Sequence, residues 1–234
     1  MAIGSSKQSL SNKKTCQQLA ADLNTKIPAA VYGMAKASVD IPPGYHITMA
    51  KVTNLTAKDC DLNVALCQGD VCEMRKSKYQ FQPPIDSVES FPKQIRAIYN
   101  TVCAPKLYWM VTKPLALLII VVLFLIGYGT NILGVDGMVD YWDDNMPQWT
   151  PGIAFVFGSV DNFCRYAVQG AWYFSLVAHG YEAFYTAQEC HSELRLNLST
   201  TMMWTLLVFI CGYPIFVGEF FEMVQFSKRS KKQN

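Results

Sequence analysis

The sequence predicts a small α+β domain followed by an all-α transmembrane bundle. Charged residues make up 16% of the 234 residues, against about 25% in soluble chains. Long apolar runs begin only after residue 106, whereas polar and apolar residues mix before it. We therefore predict a disordered start at 1–11, an α+β domain at 12–105, a transmembrane domain at 106–226 and a basic tail at 227–234.

The predicted α+β domain consists of helices around a three-stranded antiparallel sheet. Helices are predicted over 15–23 and over AAVYGMAKA, and an amphipathic one over DSVESFPKQIRAIYNTV. The strands are GYHITMAKVTNL, DCDLNVALC and VCEMRKSKYQF. Gly69-Asp70 lies between the last two strands and suits the tight turn of a hairpin.

This order of elements resembles the C-terminal domain of the HugZ-type haem-degrading proteins, which is also found in a chloroplast glutamyl-tRNA-reductase-binding protein. The matching stretches are LNTKIPAAVYGMAK, VTNLTAKDCDLNV and YQFQPPIDSVESFPKQIRAI. The haem-degrading members carry an Asp-His pair after an Asn, and this histidine contributes to haem binding. Here Lys26 and Ile27 follow Asn24. Because Ile27 cannot ligate iron, the resemblance implies the fold without the haem, and we expect no cofactor.

Three membrane spans are predicted in the second half, at about 109–130, 166–188 and 201–224. The strongest is PLALLIIVVLFLIGYGT, which with the residues before it approaches the roughly 20 residues that cross a bilayer. Pro214 is a predicted kink in the third span. Residues 150–164 are apolar but short, and form a possible extra membrane segment. The connector before them carries four acids, predicted to be solvated rather than to bind a divalent ion: Asp136, Asp140, Asp143 and Asp144.

Ionisable side chains inside the predicted spans form the candidate functional site. These are His179 and Glu182, one helical turn apart, then Glu189, Glu219 and Glu222. Such groups are costly in a bilayer and face protein or a wet cavity, where they pair with one another. One interpretation is a structural pair that locks helices together, which we favour. The other is a metal, proton or head-group site, because a histidine with two carboxylates can hold a metal.

The membrane half carries a loose pattern of seven residues: His179, Glu182, Ala183, Tyr185, Cys190, Trp204 and Gly212. By this pattern it resembles a small family of eukaryotic multi-span membrane proteins of unknown function. It also faintly resembles an endoplasmic-reticulum scaffold protein of sterol biosynthesis, which tethers enzymes without catalysing a reaction. The resemblance implies a membrane fold but no reaction.

The distribution of lysines predicts the location and the topology. Lys231 and Lys232 match a dilysine endoplasmic-reticulum retrieval pattern, so that membrane is expected, with a mitochondrial or plastid membrane as the alternative. Basic residues before the first span and in the tail favour both ends in the cytosol. An even number of crossings would then be needed, whereas three spans are predicted. Either 150–164 adds a crossing or one end is misassigned.

Two features of the α+β domain depend on its compartment. Cys67 and Cys72 face each other across the hairpin and can form a disulfide where the compartment oxidises. In the cytosol, which we favour, they would be thiols. Asn54-Leu-Thr is a glycosylation sequon that matters only in a lumenal domain.

A non-catalytic scaffold is the predicted function. The chain carries no nucleophile–base or phosphate-loop motif, and outside its ends it has no basic stripe for nucleic acid. The expected partners are the lipid bilayer and other membrane proteins in a complex. One alternative is a membrane-embedded enzyme or a redox or metal carrier that uses His179 and Glu182. The other is a haem or tetrapyrrole binder.

Overall fold

The computed structural model describes residues 5–82, 84 and 91–233. The chain divides into two compact units. The first unit contains Met1–Pro105, Gln188–Met203 and Glu219–Asn234. The second unit contains Lys106–Ala187 and Trp204–Gly218. The first unit therefore includes two segments from the predicted transmembrane half.

The first unit contains the predicted three-stranded antiparallel sheet. Its strands are β1 His46–Leu55, β2 Asp59–Gln68 and β3 Val71–Gln80, in the order β1-β2-β3. Gln68 pairs with Val71, so Gly69 and Asp70 form the predicted turn. Side chains alternate across a strand, and the central strand buries one face through Cys60, Leu62, Val64 and Leu66.

Three helices accompany this sheet: α1 Ser5–Lys26, α2 Pro28–Ser38 and α3 Phe91–Val102. Helix α1 begins at Ser5, before the predicted start, so residues 5–11 are helical rather than disordered. Helix α2 is apolar over most of its length and is buried from Pro28 to Ala35. A helix that is hydrophobic on all sides needs cover on all sides, which makes α2 the centre of the first unit.

Asn24 joins α1 to the edge of the sheet. Its amide nitrogen donates to the Val52 carbonyl at 3.0 Å, and its amide oxygen accepts from the Val52 N–H at 2.8 Å. The side chain thus pairs with the main chain as a neighbouring strand would. The register of β1 shifts between Val52 and Asn54, so the clamp holds β1 at an irregularity of the sheet.

The second half of the chain is helical. Its α-helices are α4 Trp109–Thr112, α5 Pro114–Tyr128, α6 Gly134–Asn145, α7 Thr150–Phe157, α8 Val160–Asn162, α9 Gly170–Ser192, α10 Leu198–Cys211, α11 Tyr213–Ile215 and α12 Glu222–Gln233. Three π-helical stretches join some of them, at Gly129–Leu133, Phe163–Gln169 and Phe216–Phe221.

Within the described residues, one helical stretch, Pro114–Asn145, is long and apolar enough to cross a membrane by length and composition. Its apolar part is the 15 residues of α5 and the 5 of the π-helical stretch that follows. Gly134 then has φ +71°, which turns the chain into α6. The residues predicted as a polar connector thus form a helix, Gly134–Asn145. Apolar residues such as buried Met138 lie between its acids and pack against the rest of the unit.

The third predicted span is not one continuous helix. Helix α10 ends at Cys211, and Gly212 adopts φ +60° and ψ −143° before α11 begins. The interruption lies two residues before the predicted kink at Pro214, because Pro214 occupies the first turn of the next helix, where its missing N–H is tolerated.

Helix α12 completes the first unit. The ring of Phe226 lies 5.1 Å from that of Tyr32 on α2, and Phe220, Val224 and Phe226 are buried. The Gln188–Met203 segment joins the same unit: the Tyr99 hydroxyl of α3 donates to the Leu194 carbonyl. The predicted basic tail is therefore the last part of a packed helix.

Candidate functional site

The predicted intramembrane histidine, His179, bonds to the end of a helix. Its Nδ1 lies 2.7 Å from the carbonyl oxygen of Phe209 in the last turn of α10. A carbonyl only accepts a hydrogen bond, so Nδ1 carries the proton. The last four carbonyls of a helix have no partner within it. His179 therefore satisfies one of the carbonyls left open where α10 ends.

Gly212 makes room for this imidazole. A Cβ at Gly212 would lie 2.5 Å from Nε2 of His179, inside any allowed contact. Its backbone, at φ +60° and ψ −143°, also lies in a region that only glycine adopts at low cost. The break in the helix and the position of the His179 ring thus both depend on Gly212.

Glu182 lies one turn beyond His179 on α9. Its Oε2 is buried and has no hydrogen-bond partner. A mainly apolar cavity of about 230 Å³ is lined by His179, Ser175 and Phe209 but not by Glu182. Among the predicted site residues, Glu182 is the one whose carboxylate the fold leaves with an unsatisfied oxygen.

Glu219 and Glu222 belong to the first unit, where both bind Lys36 of α2. Lys36 Nζ lies 2.6 Å from Oε2 of Glu219 and 3.9 Å from Oε2 of Glu222. Glu219 is 7% exposed, so its charge needs this partner. The network ties α12 and the π-helical stretch before it to α2.

Two further side chains bind Glu222. The Tyr32 hydroxyl donates to Oε2 at 3.0 Å, and Nδ1 of His46 lies 3.0 Å from Oε1. Burial, with the nearby charge and hydrogen bond of Glu222, raises the pKa of Tyr32, which keeps the phenol a donor at neutral pH. His46, the one histidine of the predicted domain, thus joins the start of β1 to α12.

Glu189 and its neighbour Glu193 pair with the basic end of α12. Lys228 Nζ lies 2.7 Å from Glu189 Oε1, and Lys231 Nζ lies 2.8 Å from Glu193 Oε1. Ser227 also donates to Glu193, at 2.7 Å. Burial acts to raise the pKa of Glu193, but the hydrogen bonds from Lys231 and Ser227 and the two lysine charges outweigh it and lower the pKa.

The five predicted site residues therefore have different surroundings. His179 and Glu182 lie in the second unit, whereas Glu189, Glu219 and Glu222 lie in the first unit with lysine partners of their own. Within the described residues, no group of three or more His, Cys, Asp and Glu side chains is placed to hold a metal. Four of the five side chains bond to other parts of the fold.

The hairpin residues lie where the sequence places them. Cys67 and Cys72 are paired in register and joined by a disulfide. Asn54 is exposed on β1, and its side chain donates to Asp61 Oδ2 at 3.2 Å. Ile27 lies between α1 and α2 and precedes the buried proline that begins α2. Lys231 is engaged by Glu193, while Lys232 is exposed.

Sequence reasoning missed the partners of these acids. Lys36 is the one charged residue in α2, PAAVYGMAKAS, and a lone lysine on a buried helix is a signal for a buried carboxylate. The break at Gly212 also had a signal, because Gly-Tyr-Pro combines two residues that interrupt helices. Neither signal identifies its partner in the sequence.

Comparison with known proteins finds no match to a protein family, to a curated protein or to a solved structure.

Proposed function

We propose that this chain is a non-catalytic integral membrane scaffold. The second unit is inserted in the bilayer, and the first unit stands outside it and binds other membrane proteins. The observation that carries this proposal is that most side chains of the candidate site form bonds within the fold. His179, Glu189, Glu219 and Glu222 each hold one helix to another segment of the fold, which is structural work.

The proposed bilayer crossings are two. The first is α5 with the π-helical stretch after it, whose leucine and phenylalanine side chains are largely exposed, as lipid contact requires: Leu118 is 57% and Phe124 69% exposed. The second is the π-helical stretch Phe163–Gln169 with most of α9. Trp172 of α9 supports their packing in one bundle, because a Cβ at Gly127 of α5 would lie 2.8 Å from its ring.

Residues 204–218 are proposed to enter the membrane and leave it on the same side. The segments before and after them are bonded to each other: Lys228 pairs with Glu189, and Lys231 with Glu193. These ion pairs support the proposal that both ends of 204–218 lie on the same side of the membrane. The turn at Gly212 lets the segment reverse, and irregular backbone at membrane depth is tolerated where protein covers it.

This proposed arrangement has the even number of crossings that two cytosolic ends require. Two crossings and one re-entrant segment put the α+β domain and α12 on the same side. Lys106 and Lys113 precede the first crossing, whereas residues 134–162 after it contain no lysine or arginine. The positive-inside rule then favours the cytosol for the first unit. The disulfide between Cys67 and Cys72 differs from the thiols that the sequence favoured, and in the cytosol it is expected to be reduced.

A groove of about 580 Å³ on the three strands is the proposed docking surface of the first unit. Its lining includes Thr53, Asp61, Asn63, Lys76 and Lys78. One half-buried acid, Asp61, lies beside two exposed lysines in this lining, and such a mixture of charges suits a polar segment of a partner protein better than lipid.

The proposal is tested by crosslinking in intact membranes. A photoreactive amino acid replaces Lys76 in the groove or, as the matched control, Gln18, which is exposed on α1. The chain is then extracted in mild detergent and sized. We expect a complex larger than the monomer and a defined crosslinked product from position 76 alone. A monomer without crosslinks at either position would contradict the scaffold.

One observation favours a second candidate function, a proton or metal carrier. Glu182 Oε2 is buried without a partner, and His179 is one turn away. Glu182→Gln is the informative variant, because His179→Ala would also remove the bond to Phe209. A metal ion that co-purifies with the wild type in a fixed ratio and is lost in Glu182→Gln would support the carrier over the scaffold.

A further inference from the structure

A second cavity lies inside the second unit, away from the predicted site residues. Its volume is about 560 Å³, within the range of about 300–1,000 Å³ that small-molecule sites occupy. Its walls come mainly from the end of α5, from α6 and from the two π-helical stretches Gly129–Leu133 and Phe163–Gln169. Its lining includes Leu125, Tyr128, Leu133, Met138, Trp142 and Phe163.

The lining is apolar except for a few aromatic polar groups. None of its residues carries a charge, so an ionic ligand would lose its hydration without compensation. Trp142 contributes a polar group, its indole N–H, to this lining. Its Nε1 is buried and has no acceptor. Because an indole N–H can only donate, this group needs an acceptor.

Trp142 is also held in position. Its ring packs against that of Phe163 with centroids 5.4 Å apart and planes at 64°, an edge-to-face arrangement that favours aromatic pairs. The Trp142 ring is thus a fixed part of the cavity wall. A buried donor without an acceptor is uncommon in proteins, and a bound molecule with a carbonyl oxygen would satisfy it.

The aromatic residues indicate which molecule has that chemistry. Tyr128, Tyr141 and Trp142 line the cavity, and tyrosine and tryptophan concentrate at the boundary between lipid headgroups and acyl chains. The ester carbonyls of glycerolipids lie at that boundary, each followed by an apolar chain. We propose that the cavity binds one acyl chain of a membrane glycerolipid, with its ester carbonyl accepting from Trp142 Nε1.

This site rests on the proposed insertion of the second unit in a bilayer. If it holds, the chain carries a bound lipid as part of its structure, beyond the lipid that surrounds its exposed helices. An acyl chain in this cavity would bridge α5, α6 and the second crossing. The lipid would then stabilise the end of the bundle at which the chain turns from α5 into α6.

The test uses full-length protein in phosphatidylcholine vesicles that contain a phosphatidylcholine with a diazirine in its acyl chain. After illumination, labelling of peptides from the cavity is compared with labelling of the exposed first half of α5 in the same sample. Trp142→Phe removes the donor and keeps the ring. Leu133→Trp fills the cavity, and Leu118→Trp is its control on an exposed position of α5.

We expect the ratio of cavity to α5 labelling to fall about three- to tenfold in Trp142→Phe, the loss that corresponds to one hydrogen bond. Leu133→Trp should abolish the excess, and Leu118→Trp should leave it unchanged. Equal ratios in all four proteins would overturn the lipid site. Competition by excess cholesterol, but not by unlabelled phosphatidylcholine, would overturn the choice of ligand. Protein that fails to float with the vesicles would instead contradict the proposed insertion.

Discussion

The imidazole of His179 lies directly against Gly212, where a Cβ would come within 2.5 Å of Nε2. The other ring nitrogen bonds to the Phe209 carbonyl at 2.7 Å. The histidine therefore fills the space that the glycine leaves and satisfies the helix end that the glycine interrupts. This relationship gives a structural reason for a polar residue in an apolar stretch, and the reason does not require a catalytic role for His179.

Gly212→Ala should destabilise the second unit through two separate effects. The alanine would adopt a backbone conformation that costs about 1–3 kcal/mol, and its methyl group would displace His179. Thermal unfolding of the detergent-solubilised chain should show a lower Tm. Adding His179→Ala should recover the part due to the clash, so that the two changes are not additive. Strictly additive losses would show that the two residues are not in contact.

The proposed two-crossing topology predicts the fate of three tags in sealed microsomes. Tags at Met1 and at Asn234 should both be digested by added protease, because both belong to the first unit on the cytosolic side. A tag inserted after Asn145, between the two crossings, should be protected. Protection of the Asn234 tag with digestion of the Met1 tag would mean that residues 204–218 cross the membrane.

Lys36→Met should weaken the attachment of α12 to α2. It removes the closest cation from Glu219, whose side chain is 7% exposed, and it preserves most of the apolar stem. We expect a loss of about 1–3 kcal/mol in the free energy of unfolding, reduced from the value for a fully buried pair because Lys36 is partly exposed.

The matched control for Lys36→Met is the double variant Lys36→Met with Glu219→Leu. Removing both charges should restore part of the lost stability, because an apolar pair needs no charge compensation. Denaturant titration of the full chain measures both variants. If the double variant is less stable than Lys36→Met alone, Lys36 is not the main partner of Glu219.

Glu193 predicts an acid-sensitive contact at the end of α12. Its pKa is lowered in the folded protein from the ordinary value of 4.5. The carboxylate therefore adds stability above pH 4.5, and this contribution is lost as the pH falls through the folded pKa. Glu193→Gln should lower stability at pH 7 by about 1–2 kcal/mol, the range for hydrogen bonds to a charged group discounted for exposure.

Unfolding curves of wild type and Glu193→Gln between pH 7 and pH 3 measure this dependence. The difference in stability should shrink below pH 4.5 and approach zero once Glu193 is protonated in both states. A difference that stays constant with pH would show that the variant acts through lost packing and not through lost charge.

The cysteines predict a stepwise pattern of alkylation. Burial raises the pKa of Cys60 and of Cys190 to about 12 in each case, so both remain thiols at pH 8. Of the six free cysteines, Cys16 alone is not buried. Mass spectrometry of protein isolated under oxidising conditions should find one alkylated cysteine in the native state, six after denaturation and eight after reduction. Rapid labelling of Cys60 in the native state would contradict its place in the core.

The sheet could be predicted from the sequence, and the reason is local. Residues 60–66 alternate between the two faces of β2, and Gly69-Asp70 supplies a turn at the right place. The predicted helix over AAVYGMAKA is confirmed as α2. The residues that misled prediction are those of α6, where acids read as a connector, and Gly212, where a single residue divides an apolar run.

The candidate site could be predicted only as a list of costly side chains. His179, Glu182, Glu189, Glu219 and Glu222 were recognisable because ionisable groups in apolar segments need partners. The partners themselves were not recognisable. Lys36 and Glu219 are separated by 183 residues, and no periodicity connects positions so far apart. Tyr32 reaches Glu222 over 190 residues.

The sequence by itself determined the strands, the hairpin and one apolar run of membrane length. These follow from the residues within a single turn or strand, because alternation and hydropathy are properties of neighbours. Only the tertiary structure decided that Glu219 binds Lys36, that His179 completes a broken helix and that both flanks of residues 204–218 belong together. Those contacts depend on which distant segments meet, and the free energy of burying a charge becomes favourable only when its partner is in place.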